Sequence, residues 1–191
     1  MAYGAVDRRI WNDERFRRWD EDVQLVWLYL LTCPHGNRLG CFVLPAYYVA
    51  DDVQMDLDAA RDALATLEEE GRIAWDRQLR VVCILNHLKP EYNPLANQSV
   101  VKAALKDLAE LPDSQTCLRA LLEAVDRFSR PHYEKLLQRL RHRVGHGEGH
   151  GVPHGGGEGV PHPYPDPDPE HTHSARETGS ESEEEDKSWA D

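Results

Sequence analysis

Apolar residues recur at three- and four-residue steps through Leu57, Ala60, Leu64 and Leu67. That is the spacing of one buried stripe on a helix. Asp56 stands where an N-cap carboxylate takes the free amide protons of a first turn. Gly71 can adopt the left-handed conformation that ends such a helix. Ile73 and Trp75 then alternate with Arg72, Ala74 and Asp76, polar residues 76–78 read as a turn, and 79–85 read as a β-rich return strand. Upstream, residues 21–32 carry Val23, Leu25, Val26, Trp27, Leu28, Tyr29, Leu30 and Leu31, apolar on nearly every side, behind Asp20 as a cap. Such a helix is central to a core, or has one face covered by another segment or subunit. Residues 33–37 break it, and 40–44 form a short strand. Pro45 opens a small helix to about residue 50, and 51–55 turn the chain into the Asp56 helix.

The order is helix, strand, helix, helix, strand, strand, which is that of a winged helix-turn-helix over residues 20–90. The predicted fold is mainly α with a small β-hairpin wing. Two prolines mark a connector after Leu85, and residues 91–144 then form a helical extension. One stripe there runs through Val100, Val101, Ala104, Leu105 and Leu108. Leu118, Leu121, Leu122, Val125 and Phe128 form a second, and Leu136, Leu137 and Leu140 a third. Pro112, Asp113 and Ser114 separate the first two, with a serine able to cap the second. From residue 145 the apolar periodicity ends. Gly-Val-Pro-His recurs at 151–154 and 159–162, Pro-Asp alternation follows, and the chain turns acidic. Nothing in 145–191 offsets the entropy of ordering, so this stretch is expected to be disordered.

Charge changes the picture by segment. The chain of 191 residues has a net charge of −12. Residues 1–100 are net −5, residues 101–144 net +3 and residues 145–191 net −10. The acidity belongs mostly to the tail and does not exclude a nucleic-acid partner for the body. Residues 1–19 form an arm rich in arginine and aromatics, and Trp11, Phe16 and Trp19 are candidates for self-association onto a neighbouring subunit. The four cysteines are far apart among apolar residues, as free thiols in a reducing cytoplasm would be. No apolar leader or membrane-length run is present, so no membrane role is expected.

The body resembles phage replisome organisers, relatives of the primosomal helicase-loading proteins of the DnaD type. The resemblance is carried by Trp27-Leu28-Tyr29-Leu30-Leu31-Thr32, Pro34-His35, Leu39-Gly40 and Leu67-Glu68-Glu69-Glu70-Gly71-Arg72-Ile73. It continues through Ile84-Leu85-Asn86, Lys89, Tyr92-Asn93-Pro94 and Glu110-Leu111-Pro112. It covers roughly residues 10–115 and is carried by the order of motifs that are each short. It implies a replication initiation protein of a phage or prophage. Such a protein binds double-stranded origin DNA, including repeats within its own gene, and oligomerises. It also recruits host replication proteins such as helicase or its loader, and contact with single-stranded DNA is a further expectation. Many relatives carry another C-terminal domain, whereas the basic helices here stop at about Val144. Relatives commonly have serine where Cys33 stands.

Candidate DNA contacts follow from charge. The 56–70 helix carries Asp58, Asp62, Glu68, Glu69 and Glu70 against Arg61 alone, a poor match to phosphate. Arg61 is one candidate contact, and the other cations lie on the wing (Arg72, Arg77, Arg80) and on the last helices (Arg127, Arg130, Lys135, Arg139, Arg141, Arg143), with Arg15, Arg17 and Arg18 in the arm. Phosphate contacts of this kind add salt-dependent affinity without reading sequence. A transcriptional regulator built on the same domain, and a self-associating scaffold that leaves DNA untouched, are the alternatives.

Catalysis has little support. The glycines at 155–157 lack a following Lys-Ser/Thr, so no phosphate loop is present, and no enzyme or cofactor is expected. Cys33, His35, Cys41, Cys83 and His87 lack the short pair spacing of a structural zinc site. His142, His146, His150 and His154 recur every fourth residue, but interleaved glycines argue against the helix that would align them.

Overall fold

The computed structural model describes residues 6–89, 95–128 and 130–146, and all of them belong to one compact unit. The expected disorder of the tail, and most of its histidine run, lie outside the described residues. The chain is mainly helical with a small three-stranded antiparallel sheet. A 3-10 turn (Arg8–Asn12) and a short helix α1 (Glu14–Arg18) lead into α2 (Glu21–Thr32). Strand β1 (Cys41–Val43), helices α3 (Ala46–Val53) and α4 (Leu57–Glu69), and strands β2 (Ile73–Asp76) and β3 (Val81–Ile84) follow. Helices α5 (Gln98–Glu110), α6 (Gln115–Arg127) and α7 (Glu134–His146) complete the unit.

Helix ends follow local chemistry. Helix α4 stops at Gly71, with φ of +64°, where the Arg72 amide bonds the Leu67 carbonyl at 2.9 Å and the Gly71 amide bonds Glu68 at 2.9 Å. This paired arrangement satisfies carbonyls that the helix itself leaves open. Ser114 caps α6 by accepting from the Cys117 amide, and Asn97 caps α5. The carboxylates expected to cap α2 and α4 do otherwise: Asp20 and Asp56 make no side-chain cap bond. Both still place a negative charge at a helix N-terminus, where the macrodipole favours it. Helix α3 runs three residues beyond its expected end, to Val53, and stops at Gln54 in the left-handed region, φ +57°.

The sheet order is β1-β3-β2, with Cys41 opposite Cys83 and Trp75 opposite Val82. All four residues of the central strand β3 are buried. Successive strand side chains point to opposite faces. Val82 and Ile84 join Phe42, Ile73 and Trp75 in a core with α2, α3 and α4. Val81 and Cys83 join Cys41 in a second core with α5, α6 and α7. The helices after residue 95 therefore cover the sheet's other face. Cys117 of α6 reaches the Ala74 and Val81 carbonyls at 3.5 and 3.4 Å.

The arm folds back on its own chain. Phe16 and Trp19 are buried in the first core, and edge-to-face contacts link Trp11, Phe16, Trp19 and Trp27 in series. This corrects the expectation that Phe16 and Trp19 serve a neighbouring subunit: they complete the core around α2, whose apolar surface is too wide for α4 alone to cover. Trp11, 61 % exposed, is the one of the three left open. At the C-terminal end of α3, the Tyr29 hydroxyl donates to Asp52, and His35, stacked on Tyr48, lies 4.0 Å from the same carboxylate. Burial and that hydrogen bond hold the Tyr29 hydroxyl protonated well past its usual range, so it acts as a fixed donor tying α2 to α3. No described helix is long and apolar enough to cross a membrane.

Candidate nucleic-acid interface

The start of α3, the exposed side of α4 and the hairpin of β2 and β3 enclose an open groove of about 440 Å³. Leu44, Pro45, Ala46 and Tyr47 form one wall, and Leu57, Arg61, Asp62 and Ala65 form the second. Trp75, Arg77 and Arg80 close it from the hairpin. The spacing of 57, 61 and 65 puts one face of α4 toward the hairpin. The groove gathers three arginines and one aspartate from segments that are far apart in sequence.

Each arginine is held differently. Arg61 bonds Asp58 at 3.0 Å, one turn away on the solvent side of α4. The Arg77 guanidinium lies 4.2 Å from the centre of the Trp75 ring and donates to Glu68 at 2.8 Å. The other oxygen of Glu68 accepts the Trp75 amide at 3.1 Å. Glu68 is thus a strut between α4 and the hairpin, so part of the acidity of α4 is turned inward. Arg80 sits at the last position of the turn with φ of +57°, exposed, its guanidinium 5.9 Å from the Tyr47 ring. Among the described residues Arg80 has no carboxylate partner. Asp76 sets the turn by accepting the Gln78 and Leu79 amides at 3.1 and 2.9 Å, and the buried Ser114 hydroxyl donates to its other oxygen at 2.7 Å.

Two expected contacts are placed elsewhere. The side chain of Arg72 is only 15 % exposed, bonds Asp13 at 3.4 Å and lies 5.1 Å over the Trp19 ring. Its position beside the helix stop points it at the arm, away from the groove. Burial disfavours the Asp13 anion, but the Arg15 amide and the Arg72 guanidinium outweigh it and hold its carboxyl below the usual value. Arg143 is also turned inward: it donates to the Leu108 and Leu111 carbonyls at 2.5 and 2.7 Å and to Asp113. It closes the open carbonyls at the end of α5. Both arginines are corrected from phosphate contacts to internal ties.

The remaining cations lie on α6 and α7. Arg127, Lys135, Arg139 and Arg141 are exposed, Arg141 pairs with Asp126 at 2.9 Å, and Arg130 is half-buried. They do not line the groove. The sequence reading missed Tyr47 as a wall of the site. The signal was its place just after Pro45, which fixes where that helix begins. Cys41, Cys83 and Cys117 are buried free thiols, and among the described residues no group of three ligating side chains is placed to hold a metal. Hydrogen bonding to Cys41 and burial keep the Cys117 thiol protonated. Comparison of the chain with protein-family models, curated proteins and solved structures found no match.

Proposed function

We propose that this protein binds double-stranded DNA through the Arg61, Arg77 and Arg80 groove and acts in the initiation of replication. The convergence of these three guanidiniums beside α4 carries the reading. Two further features support it. The element order α2-β1-α3-α4-β2-β3 and the strand order β1-β3-β2 are compatible with a winged helix and support that reading. In that fold the third helix and the hairpin meet the duplex together. The exposed cations of α6 and α7 add a second surface for phosphate. On the resemblance to replisome organisers, the protein oligomerises on repeated origin DNA, contacts single-stranded DNA as well and recruits a host helicase or its loader.

A second reading is favoured by the acidic side of α4. Asp58, Asp62, Glu69 and Glu70 are exposed there, and a scaffold that only self-associates would tolerate them. Binding decides between the two. The protein is expected to bind a fragment of its own gene spanning codons 145–170 far better than random duplex. Equal binding to both, with steep salt dependence, would leave only non-specific phosphate contact. No binding at low salt would remove DNA from the account and leave the scaffold.

A further inference from the structure

We propose that Asp62 is a specificity-determining residue of the groove, selecting a cytosine edge by accepting a hydrogen bond from its exocyclic amine. The proposal rests on the reading that the groove takes duplex DNA. Asp62 lies on α4 beside Arg61 and lines the groove. It is exposed, and among the described residues its carboxylate makes no ion pair. Three guanidiniums line the same groove, yet Arg61 takes Asp58, Arg77 takes Glu68 and Arg80 faces Tyr47. An acidic group there opposes phosphate and weakens backbone binding. Where the groove holds duplex DNA, its presence is unhelpful to affinity, and discrimination between bases accounts for it.

An ionised carboxylate accepts hydrogen bonds and donates none. In the major groove the amine donors are cytosine N4 and adenine N6. Adenine sets the N7 acceptor beside its amine, which repels a carboxylate, whereas cytosine has no acceptor beside N4 on that edge. Arg61, next in sequence, has the fork that suits guanine O6 and N7. Its tie to Asp58 is a surface pair three residues apart, weak enough to exchange for a base. Positions 61 and 62 together fit adjacent guanine and cytosine edges, while Arg77 and Arg80 hold phosphate.

The test measures binding of the full chain to a panel of duplexes that differ at one base pair, for wild type, D62A, D62N and R80A. Wild type is expected to prefer cytosine at one position by about tenfold. D62A should lose that preference and bind non-specific duplex more tightly at low salt. D62N should move the preference toward adenine, whose N6 and N7 an amide matches. R80A should weaken binding to every duplex and keep the preference. A preference unchanged in D62A, or a wild type that binds without base preference, would overturn this assignment and leave the DNA reading standing. A wild type that binds no duplex would overturn both.

Discussion

Arg80 occupies a backbone conformation that suits glycine, and a side chain there costs about 1 kcal/mol. Its guanidinium is exposed and free of carboxylates among the described residues, and the bond that holds this backbone, from the Leu44 amide to the Arg80 carbonyl at 2.7 Å, needs no side chain. The substitution R80G is therefore expected to keep or raise stability by up to about 1 kcal/mol in urea unfolding while duplex affinity falls. A loss of stability equal to the loss of binding would mean that Arg80 is structural. Gly40 is the opposite case. Its φ is +64°, and a Cβ there would lie 2.4 Å from the His87 ring. G40A is expected to cost about 2 kcal/mol or more, because the strained conformation and the clash add. His87 itself is pushed below its ordinary pKa by burial, and so is held neutral. The unfolded chain then binds its proton more readily, and the stability from keeping His87 neutral is lost as pH falls below about 6.5 toward the folded value. H87Q should flatten that part of a melting-temperature profile. Arg72 and Arg143 show what the residue scale hides in sequence. Composition reads them as cations like Arg77, and only the neighbouring Asp13, Trp19 and open α5 carbonyls, all remote in sequence, turn them inward.

The helix stripe of α4, the glycine stop and the alternation of Ile73 and Trp75 are local patterns, and the structure follows them closely. The continuous run of Val81, Val82, Cys83 and Ile84 has no alternation, the mark of a strand covered on both faces. Its second cover, α5 to α7, was legible as helices but not as a partner of the sheet, because the connector at 86–94 carries no periodicity that fixes where the chain returns. The arm is the other element whose destination lay outside local pattern. F16A should cost about 3–5 kcal/mol as a buried aromatic lost from the core. W11A should cost about 1 kcal/mol, the scale of an edge-to-face contact. Urea unfolding of the two variants, with sedimentation at matched concentration, separates the roles. Dissociation of an oligomer in W11A at unchanged stability would mark Trp11 as the open end of a self-association surface. Near-zero cost in F16A would contradict the arm's place in the core.

At the scale of the whole molecule, the net charge of −12 would argue against nucleic acid if charge were spread evenly. It is not: the groove holds three arginines and one aspartate, and α6 and α7 add exposed cations. Clustered cations act on phosphate at distances near the Debye length of about 8 Å at physiological salt, beyond which remote charge is screened. The charge counts by segment were legible in sequence. The convergence of Arg61 with Arg77 and Arg80 was not, because it depends on the hairpin packing beside α4 through Glu68.

The central claim is that this groove holds duplex phosphates. The most direct measurement is the salt dependence of duplex affinity, by fluorescence anisotropy, for wild type and a R61A/R77A/R80A triple variant. Each phosphate contact removed should reduce the slope of log affinity against log salt by about 0.9. The expected result is a slope shallower by about 2 and a large loss of affinity at low salt, with a loss of stability of about 1 kcal/mol from the broken Arg77–Glu68 tie. Equal slopes and affinities in the two proteins would place DNA binding elsewhere and contradict the account.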